Sequence, residues 1–160
     1  MHKIVSNTTP IISLLKLNKL ELLQQLYNQI YIPLAVYKEI ETGKAKGYYK
    51  DLSEIGWINI IEVQDRQAVK YFLDLDAGEA EAIVLATELN ADLIILDEKP
   101  GRFHAKHADL KVTGTIGILI KAKTIGLIDE LKPLLNELTE KNVWISEKLK
   151  RDILEKAGEN

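Results

Sequence analysis

Three acidic side chains lie beside apolar residues rather than within charged runs: Glu39, Glu79 and Asp97. Glu39 follows Val36 by three residues, which places it at the rim of the apolar face of a predicted helix. Glu79 begins a helical pattern whose next positions on the same face are alanine and isoleucine. Asp97 directly follows the apolar run 93–96. Carboxylates in such places could transfer protons or hold a divalent cation.

Each acid also has a purely structural interpretation. Glu39 could pair with a neighbouring lysine on the helix surface. Asp76 and Glu79 have the spacing of a capping box, and both would favour the positive end of a helix dipole. Asp97 could cap the next helix or occupy a turn. Taken one at a time, these acids do not decide between structure and chemistry.

The elements that would position these acids alternate along the chain, since short β-rich runs separate longer helical patterns. This alternation predicts an α/β fold, a three-layer α/β/α sandwich with a central, mainly parallel sheet and a helical C-terminal annex. The predicted strands are 3–6, 30–33, 57–63, 93–96 and 112–113. We expect one domain over residues 1–160, with a core at about 3–127 and C-terminal helices over 128–160.

Helix signals complete this prediction. Thr9 and Pro10 are expected at the N-cap and first positions of a helix that reaches Leu15. Gly126 and Gly158 stand where C-terminal caps belong. The other predicted helices are 20–27, 34–41, 47–55, 65–73, 78–90, 100–108, 115–124, 129–141 and 146–157.

An open parallel sheet binds its ligands at the carboxyl ends of the strands. The residues at those ends are Asn7, Asp97 with Glu98, and Thr115 after Gly114. Glu39 and Glu79 would join them from separate helices. Converging carboxylates repel one another, and a cation relieves the repulsion. Oxygen ligands without cysteine suit Mg²⁺ or Mn²⁺.

Composition limits the function further. The chain has 21 Lys+Arg and 24 Asp+Glu, a net charge of −3, so any contact with nucleic acid must be a local patch. The absence of cysteine excludes disulfides and thiolate ligands and fits a reducing compartment. No run approaches the ~20 apolar residues of a membrane span, and no glycine-rich nucleotide loop is found. We therefore expect a cytoplasmic protein without membrane contact.

Five segments, in this order, resemble the PIN-domain family. They are Ile-Val-Ser-Asn-Thr-Thr-Pro-Ile-Ile at 4–12, Tyr-Lys-Glu-Ile at 37–40, Asp-Ala-Gly-Glu-Ala-Glu-Ala-Ile at 76–83, Leu-Ile-Ile-Leu-Asp-Glu at 93–98 and Gly-Thr-Ile-Gly-Ile-Leu at 114–119. The resemblance covers roughly residues 3–127. It is most similar to a prokaryotic toxin-like branch with an Asp-x-Gly-Glu helix start.

This resemblance implies an endoribonuclease that uses Mg²⁺ or Mn²⁺ to hydrolyse RNA phosphodiester bonds. It implies catalytic roles for Glu79, Asp97 and Glu39, and a nearby polar orienter, Thr115. The metal-site residues that it implies are Asn7, Glu39, Glu79, Asp97 and Glu98. It further implies single-stranded or structured RNA as substrate, a small antitoxin protein as partner, and a homodimer.

Asn7 departs from the family pattern, which usually has aspartate directly after the first strand. An amide oxygen can still ligate Mg²⁺, but it carries no charge and accepts no proton as a carboxylate does. A second hypothesis is therefore a catalytically impaired module that binds nucleic acid or protein.

Basic residues flank the acids in two groups. Lys99, Arg102 and Lys106 follow Asp97, and Lys38 precedes Glu39. These four side chains could hold RNA phosphates, or they could form an ordinary solvated face. Further lysines follow at 44, 46 and 50, interleaved with tyrosines at 48 and 49 that could stack on bases or pack in the core.

Overall fold

The computed structural model describes residues 2–159. Its five strands are β1 (Ile4–Ser6), β2 (Ile30–Pro33), β3 (Ile58–Ile61), β4 (Leu93–Ile95) and β5 (Val112–Thr113). Its α-helices are α1 (Thr8–Lys16), α2 (Glu21–Tyr27), α3 (Leu34–Glu41), α4 (Arg66–Lys70), α5 (Ala77–Glu88), α6 (Lys99–His107), α7 (Thr115–Thr124), α8 (Lys132–Glu140) and α9 (Glu147–Lys156). Each strand is followed by one or two helices up to α7, and only helices follow.

All five strands are parallel and lie in the order β3-β2-β1-β4-β5. Val5 pairs with Tyr31 of β2 on one side and with Ile94 of β4 on the other. The chain order therefore reverses at β1, and β1 and β4 form the switch point of the sheet. Ligands of open parallel sheets bind in the crevice at the carboxyl ends of such a strand pair.

The sheet separates two apolar cores, because successive side chains of a strand face opposite sides. Ile4 and Ile95 pack into the first core, while Val5 and Ile94 pack into the second. The first core is covered by α1, α2, α3 and the helices from α7 onward, and the second by α4, α5 and α6. The three-layer α/β/α prediction is therefore confirmed.

The C-terminal annex closes the first core. Leu135 and Leu138 of α8 are fully buried there, and Ile153 and Leu154 of α9 join them. Burying a leucine side chain stabilises a fold by roughly 1.5–3 kcal/mol, so these helices contribute to the same core as the sheet. Within residues 2–159, no helix combines the length and apolar character that crossing a membrane requires.

The start of α1 differs from the prediction. Asn7, not Thr9, is the N-cap residue, and its backbone is extended at φ −82° and ψ 175°. Strand β1 ends at Ser6 and Thr8 is already helical, so a single residue makes the transition. This tight junction fixes Asn7 at the carboxyl end of the central strand.

One predicted helix, over 47–55, does not form, and the helices predicted over 65–73 and 129–141 are each four residues shorter in the structure, as α4 and α8. Residues 47–55 form turns and a single 3-10 turn at Leu52–Glu54, where the Asp51 side chain accepts from the Ser53 N–H. Helix α8 begins at Lys132 rather than 129. A start at 129 would place Pro133 inside the helix, where its missing N–H and its ring break the hydrogen-bond ladder.

Candidate metal centre

Three carboxylates converge beside the switch point of the sheet: Asp76, Glu79 and Glu98 each offer an oxygen within 4.8 Å of the others. Asp76 is the N-cap of α5, and its Oδ1 accepts from the Glu79 N–H at 2.8 Å. Glu98 is the N-cap residue of α6. Two helix starts therefore bring the acids together, and the positive ends of both helix dipoles favour negative charge there.

Glu39 reaches the same place from α3. Its Oε2 accepts from the Thr8 hydroxyl, and its Oε1 accepts from the Gly78 N–H at 3.1 Å. Burial raises the pKa of Glu39, as do the charges of Asp76 and Glu98, while the two hydrogen bonds oppose the rise. Glu39 is thus held at the start of α5, next to the three-carboxylate cluster.

Glu79 is the most deeply buried of these acids, with 5% of its surface exposed. Burial raises its pKa to about 8, and its contacts with the carboxyl groups of Glu98 and Asp76 add to the rise. Within the described residues, its Oε2 has no hydrogen-bond partner. A buried oxygen without a partner is costly unless a ligand satisfies it.

Asn7 provides a second buried oxygen of this kind. The residue is 2% exposed, and its Oδ1 lacks a hydrogen-bond partner in the part of the chain from 2 to 159. Its N–H donates to the Ile95 carbonyl at 3.0 Å, which ties it to the end of β4. The next two residues contact the acids, because Thr8 donates to Glu39 and Thr9 donates to Glu98 at 2.8 Å.

Asp97 has a different environment from the cluster. Its Oδ1 accepts from the Thr115 N–H and its Oδ2 from the Thr115 hydroxyl, both at 2.7 Å. Burial raises the pKa of Asp97 and the charge of Glu98 adds to it, while the Thr115 hydrogen bonds and Arg102 oppose the rise. Asp97 therefore holds the start of α7 in place. Among the three acids of the cluster, Glu98 is the one whose charge raises the pKa of Asp97.

The residues at this site fit a small divalent cation. Mg²⁺ binds oxygens at about 2.0–2.1 Å, so its ligands lie at most about 4.2 Å apart. The carboxylate oxygens of Asp76, Glu79 and Glu98 lie within 4.8 Å of one another. They would therefore need to approach one another by less than about 1 Å to reach that spacing. A bound cation would offset the repulsion among the three carboxylates. All the available donors are oxygens, which matches Mg²⁺ or Mn²⁺.

Gly101 lies against this cluster, because a Cβ at that position would stand 2.8 Å from Glu79 Oε2. We expect Gly101→Ala to displace the Glu79 carboxylate and to weaken Mn²⁺ binding about tenfold or more. Stability should hold or rise, since alanine favours a helix by about 0.5–1 kcal/mol over glycine. Calorimetric Mn²⁺ titration beside thermal denaturation checks both effects. Unchanged Mn²⁺ affinity in a folded variant would contradict the proposed role of Glu79.

The basic residues predicted to contact RNA are placed unequally. Lys38, Lys99 and Lys106 are exposed on α3 and α6. Arg102 is half-buried, and its guanidinium donates to the Leu96 carbonyl at 3.1 Å. Arg102 therefore supports the end of β4 next to Asp97. Lys99 lies in the first turn of α6 beside Glu98, and Lys38 is next to Glu39 on α3, whereas Lys106 lies in the last turn of α6, at the far end from the acids.

Four residues of this region were absent from the predicted site: Thr8, Thr9, Asp76 and Glu81. The two threonines directly follow Asn7, so their position after the strand end was the available signal. Asp76 was predicted only as a cap, and the structure shows it both capping α5 and joining the cluster. Glu81 is buried and accepts from the Ala35 N–H at 3.1 Å and from Arg66 at 2.9 Å. It thereby anchors the start of α3, the helix that carries Glu39.

Comparison with known proteins agrees with this architecture. A family model described as a PIN domain matches residues 3–159. A search of curated proteins finds no match. Because the family match covers nearly the whole chain, including every acid at the switch point, the chain belongs to the PIN-domain family.

Proposed function

We propose that the protein is a Mg²⁺- or Mn²⁺-dependent endoribonuclease that hydrolyses RNA phosphodiester bonds at the acid cluster. The observation that carries the proposal is the convergence of Asp76, Glu79 and Glu98 within 4.8 Å around a buried carboxylate, beside the switch point of a parallel sheet. Membership of the PIN-domain family supports a nuclease-like activity.

Asp76, Glu79 and Glu98 would hold the cation, with Glu39 and the Asn7 amide oxygen beside them. When bound, the cation supplies a more acidic water and stabilises negative charge on the phosphate oxygens. Thr8 and Thr9 keep Glu39 and Glu98 in fixed orientations through their hydroxyl donors. Asp97 and Thr115 fix the start of α7, and exposed Lys38 and Lys99 are available to the flanking phosphates.

The direct test is cleavage of a labelled single-stranded RNA by the purified protein in Mn²⁺, in Mg²⁺ and in EDTA. We expect cleavage with either cation and none in EDTA. A Glu98→Gln variant should lose most of this activity, whereas Glu155→Gln, a matched change at an exposed site on α9, should retain it. Cleavage that continues in EDTA, or at full rate in Glu98→Gln, would reject the proposal.

A second candidate function is a binding module without catalysis, and Asn7 is the observation that favours it. A neutral amide stands at the carboxyl end of the central strand, where it contributes no charge to the cation site. This candidate predicts RNA or protein binding with no cleavage in any cation. The cleavage assay therefore separates the two functions directly.

We also propose that the protein acts in the cytoplasm as a toxin controlled by a small antitoxin protein, and that it forms a homodimer. The toxin-like resemblance supports these roles, and exposed apolar side chains such as Trp144 and Leu149 offer contact surface. The absence of cysteine suits a reducing compartment. Light scattering of the purified protein measures how many chains associate.

A further inference from the structure

A cleft of about 730 Å³ lies at the other end of α1 from the acid cluster. Its walls come from the C-terminal ends of α1 and α8 and from the chain that follows α3. The residues that line it are Leu15, Lys16, Asn18, Lys46, Gly47, Tyr48, Tyr49, Lys50, Glu140, Lys141 and Asn142. Four of these residues are lysines and one is a glutamate, in a chain whose net charge is −3.

Two of the lysines are fixed in the cleft wall by a reciprocal pair of hydrogen bonds. Lys16 Nζ donates to the Lys141 carbonyl at 3.0 Å, and Lys141 Nζ donates to the Lys16 carbonyl at 2.7 Å. These bonds join the ends of α1 and α8 at the cleft wall, and Lys141 Nζ also forms an ion pair with Glu137 at 2.7 Å. Because the position of Lys16 is set in advance by a neutral carbonyl, little side-chain entropy is lost when its ammonium group meets an anion, whereas the charge of Lys141 is partly offset by Glu137.

The other two lysines, Lys46 and Lys50, are exposed on the connection after α3. Lys50 Nζ lies 3.5 Å from Glu21, a contact between two half-exposed side chains that water weakens. Both charges are therefore available to a ligand. A nucleic acid carries counterions condensed on its phosphates. When these lysines bind the phosphates, the counterions are released, and this release increases the affinity.

Aromatic and amide groups stand between the lysines. Tyr48 is half-buried, and Lys16 Nζ lies 5.7 Å from the centre of its ring. The Tyr49 hydroxyl donates to Glu41, which fixes this connection against α3. Asn18 and Asn142 are exposed at the two helix ends. Lysines, an aromatic ring and exposed amides match the phosphate, base and sugar groups of a single strand.

The cleft connects to the acid cluster through two elements. Helix α1 begins at Thr8, which donates to Glu39, and ends at Lys16 in the cleft wall. Nine helical residues span about 12 Å, a distance that a short stretch of extended RNA covers. Helix α3 carries Glu39 and leads directly into the connection that bears Lys46 and Lys50.

We propose that this cleft binds the backbone of single-stranded RNA away from the bond that is cleaved. The inference deepens the proposed function and rests on RNA being the substrate. An acidic peptide is the competing ligand. The part of the Tyr48 ring that is not packed against the first core, together with the exposed amides, favours nucleic acid, because a glutamate chain offers no base to contact them.

The test compares Lys46→Gln/Lys50→Gln with Lys70→Gln/Lys156→Gln, which removes the same charge from exposed positions on α4 and α9. Fluorescence anisotropy measures binding of a labelled oligouridylate of about 12 nucleotides in EDTA, across a range of salt concentrations. We expect the cleft pair to weaken binding about fivefold or more at low salt. The plot of log affinity against log salt has a negative slope, and its magnitude should decrease by about 1.4, because two phosphate contacts are lost. The control pair should change neither quantity.

Equal affinity and slope in the two variant pairs would overturn the proposal. A glutamate peptide of equal net charge that displaces the RNA at equal concentration would overturn the assignment to nucleic acid. Thermal denaturation of both pairs checks that each variant is folded. Because binding is measured in EDTA, a failure of the cleft and a failure of cation-dependent cleavage are separate results.

Discussion

Replacing Glu79 by glutamine is expected to reduce cation-dependent RNA cleavage by at least about 100-fold and to stabilise the cation-free protein at alkaline pH. The first effect follows because the cluster loses the charge of its most buried carboxylate. A cation stabilises the transition state by several kcal/mol, and loss of that stabilisation slows cleavage by a factor of this size. The second follows because glutamine keeps the shape of the side chain and removes the repulsion from Asp76 and Glu98.

The pH dependence of stability has a defined sign. Burial and the neighbouring acids raise the pKa of Glu79 from 4.5 to about 8 in the folded protein. The folded state therefore binds the Glu79 proton more tightly than the unfolded state does. This contribution to the free energy of unfolding is fully present below pH 4.5 and is lost as the pH rises towards 8.

Thermal denaturation between about pH 5 and pH 9, in EDTA and in Mn²⁺, measures both effects. In EDTA the melting temperature of the unmodified protein should fall with pH more steeply than that of Glu79→Gln. Mn²⁺ should raise the melting temperature of the unmodified protein, most of all at high pH, because it replaces the Glu79 proton. Glu155→Gln, at an exposed position on α9, is the matched control. An unchanged pH slope and an unchanged Mn²⁺ shift in Glu79→Gln would show that Glu79 is not in the cation site.

Local signals were sufficient to predict several elements. Strand β2 and helices α3 and α7 have the predicted bounds. Isoleucines mark β2, the Thr-Gly at 42–43 marks the end of α3, and Gly126, with a left-handed backbone, marks the end of α7. The predicted helix over 47–55 does not form. Its tyrosines instead pack against the first core, and Tyr49 bonds to Glu41, a contact between segments that local propensity does not contain.

The candidate site was predictable where the topology alone places a residue. Asn7, Asp97 and Glu98 follow strands, so a parallel sheet must bring them to one edge. The inclusion of Asp76 was not predictable in this way, since capping already explained it. Asp76 accepts the capping hydrogen bond from the Glu79 N–H, which fixes its carboxylate at the start of α5. Only the packing of α5 against α6 shows that Glu98 lies close to it.

Restoring a carboxylate at position 7 is expected to have opposite effects in the absence and presence of a cation. In Asn7→Asp without a cation, a second acid is buried, directly before the two threonines that donate to Glu39 and Glu98. A buried charge costs several kcal/mol and the start of α1 offsets only about 1 kcal/mol of it, so the free energy of unfolding should fall by roughly 2–4 kcal/mol. With Mn²⁺ the same charge becomes a ligand, and affinity should rise at least about tenfold, or 1.4 kcal/mol.

Calorimetric titration with Mn²⁺ and thermal denaturation in EDTA measure the two effects, and Asn136→Asp adds the same charge at an exposed position on α8 as the control. Cleavage separates the two candidate functions. If the unmodified protein is a ribonuclease, Asn7→Asp should increase an activity that is already measurable. If it is a binding module, cleavage should begin only in the variant. A folded Asn7→Asp variant with unchanged Mn²⁺ affinity would show that the cation site does not extend to the end of β1, because a carboxylate within reach of the cation must strengthen its binding.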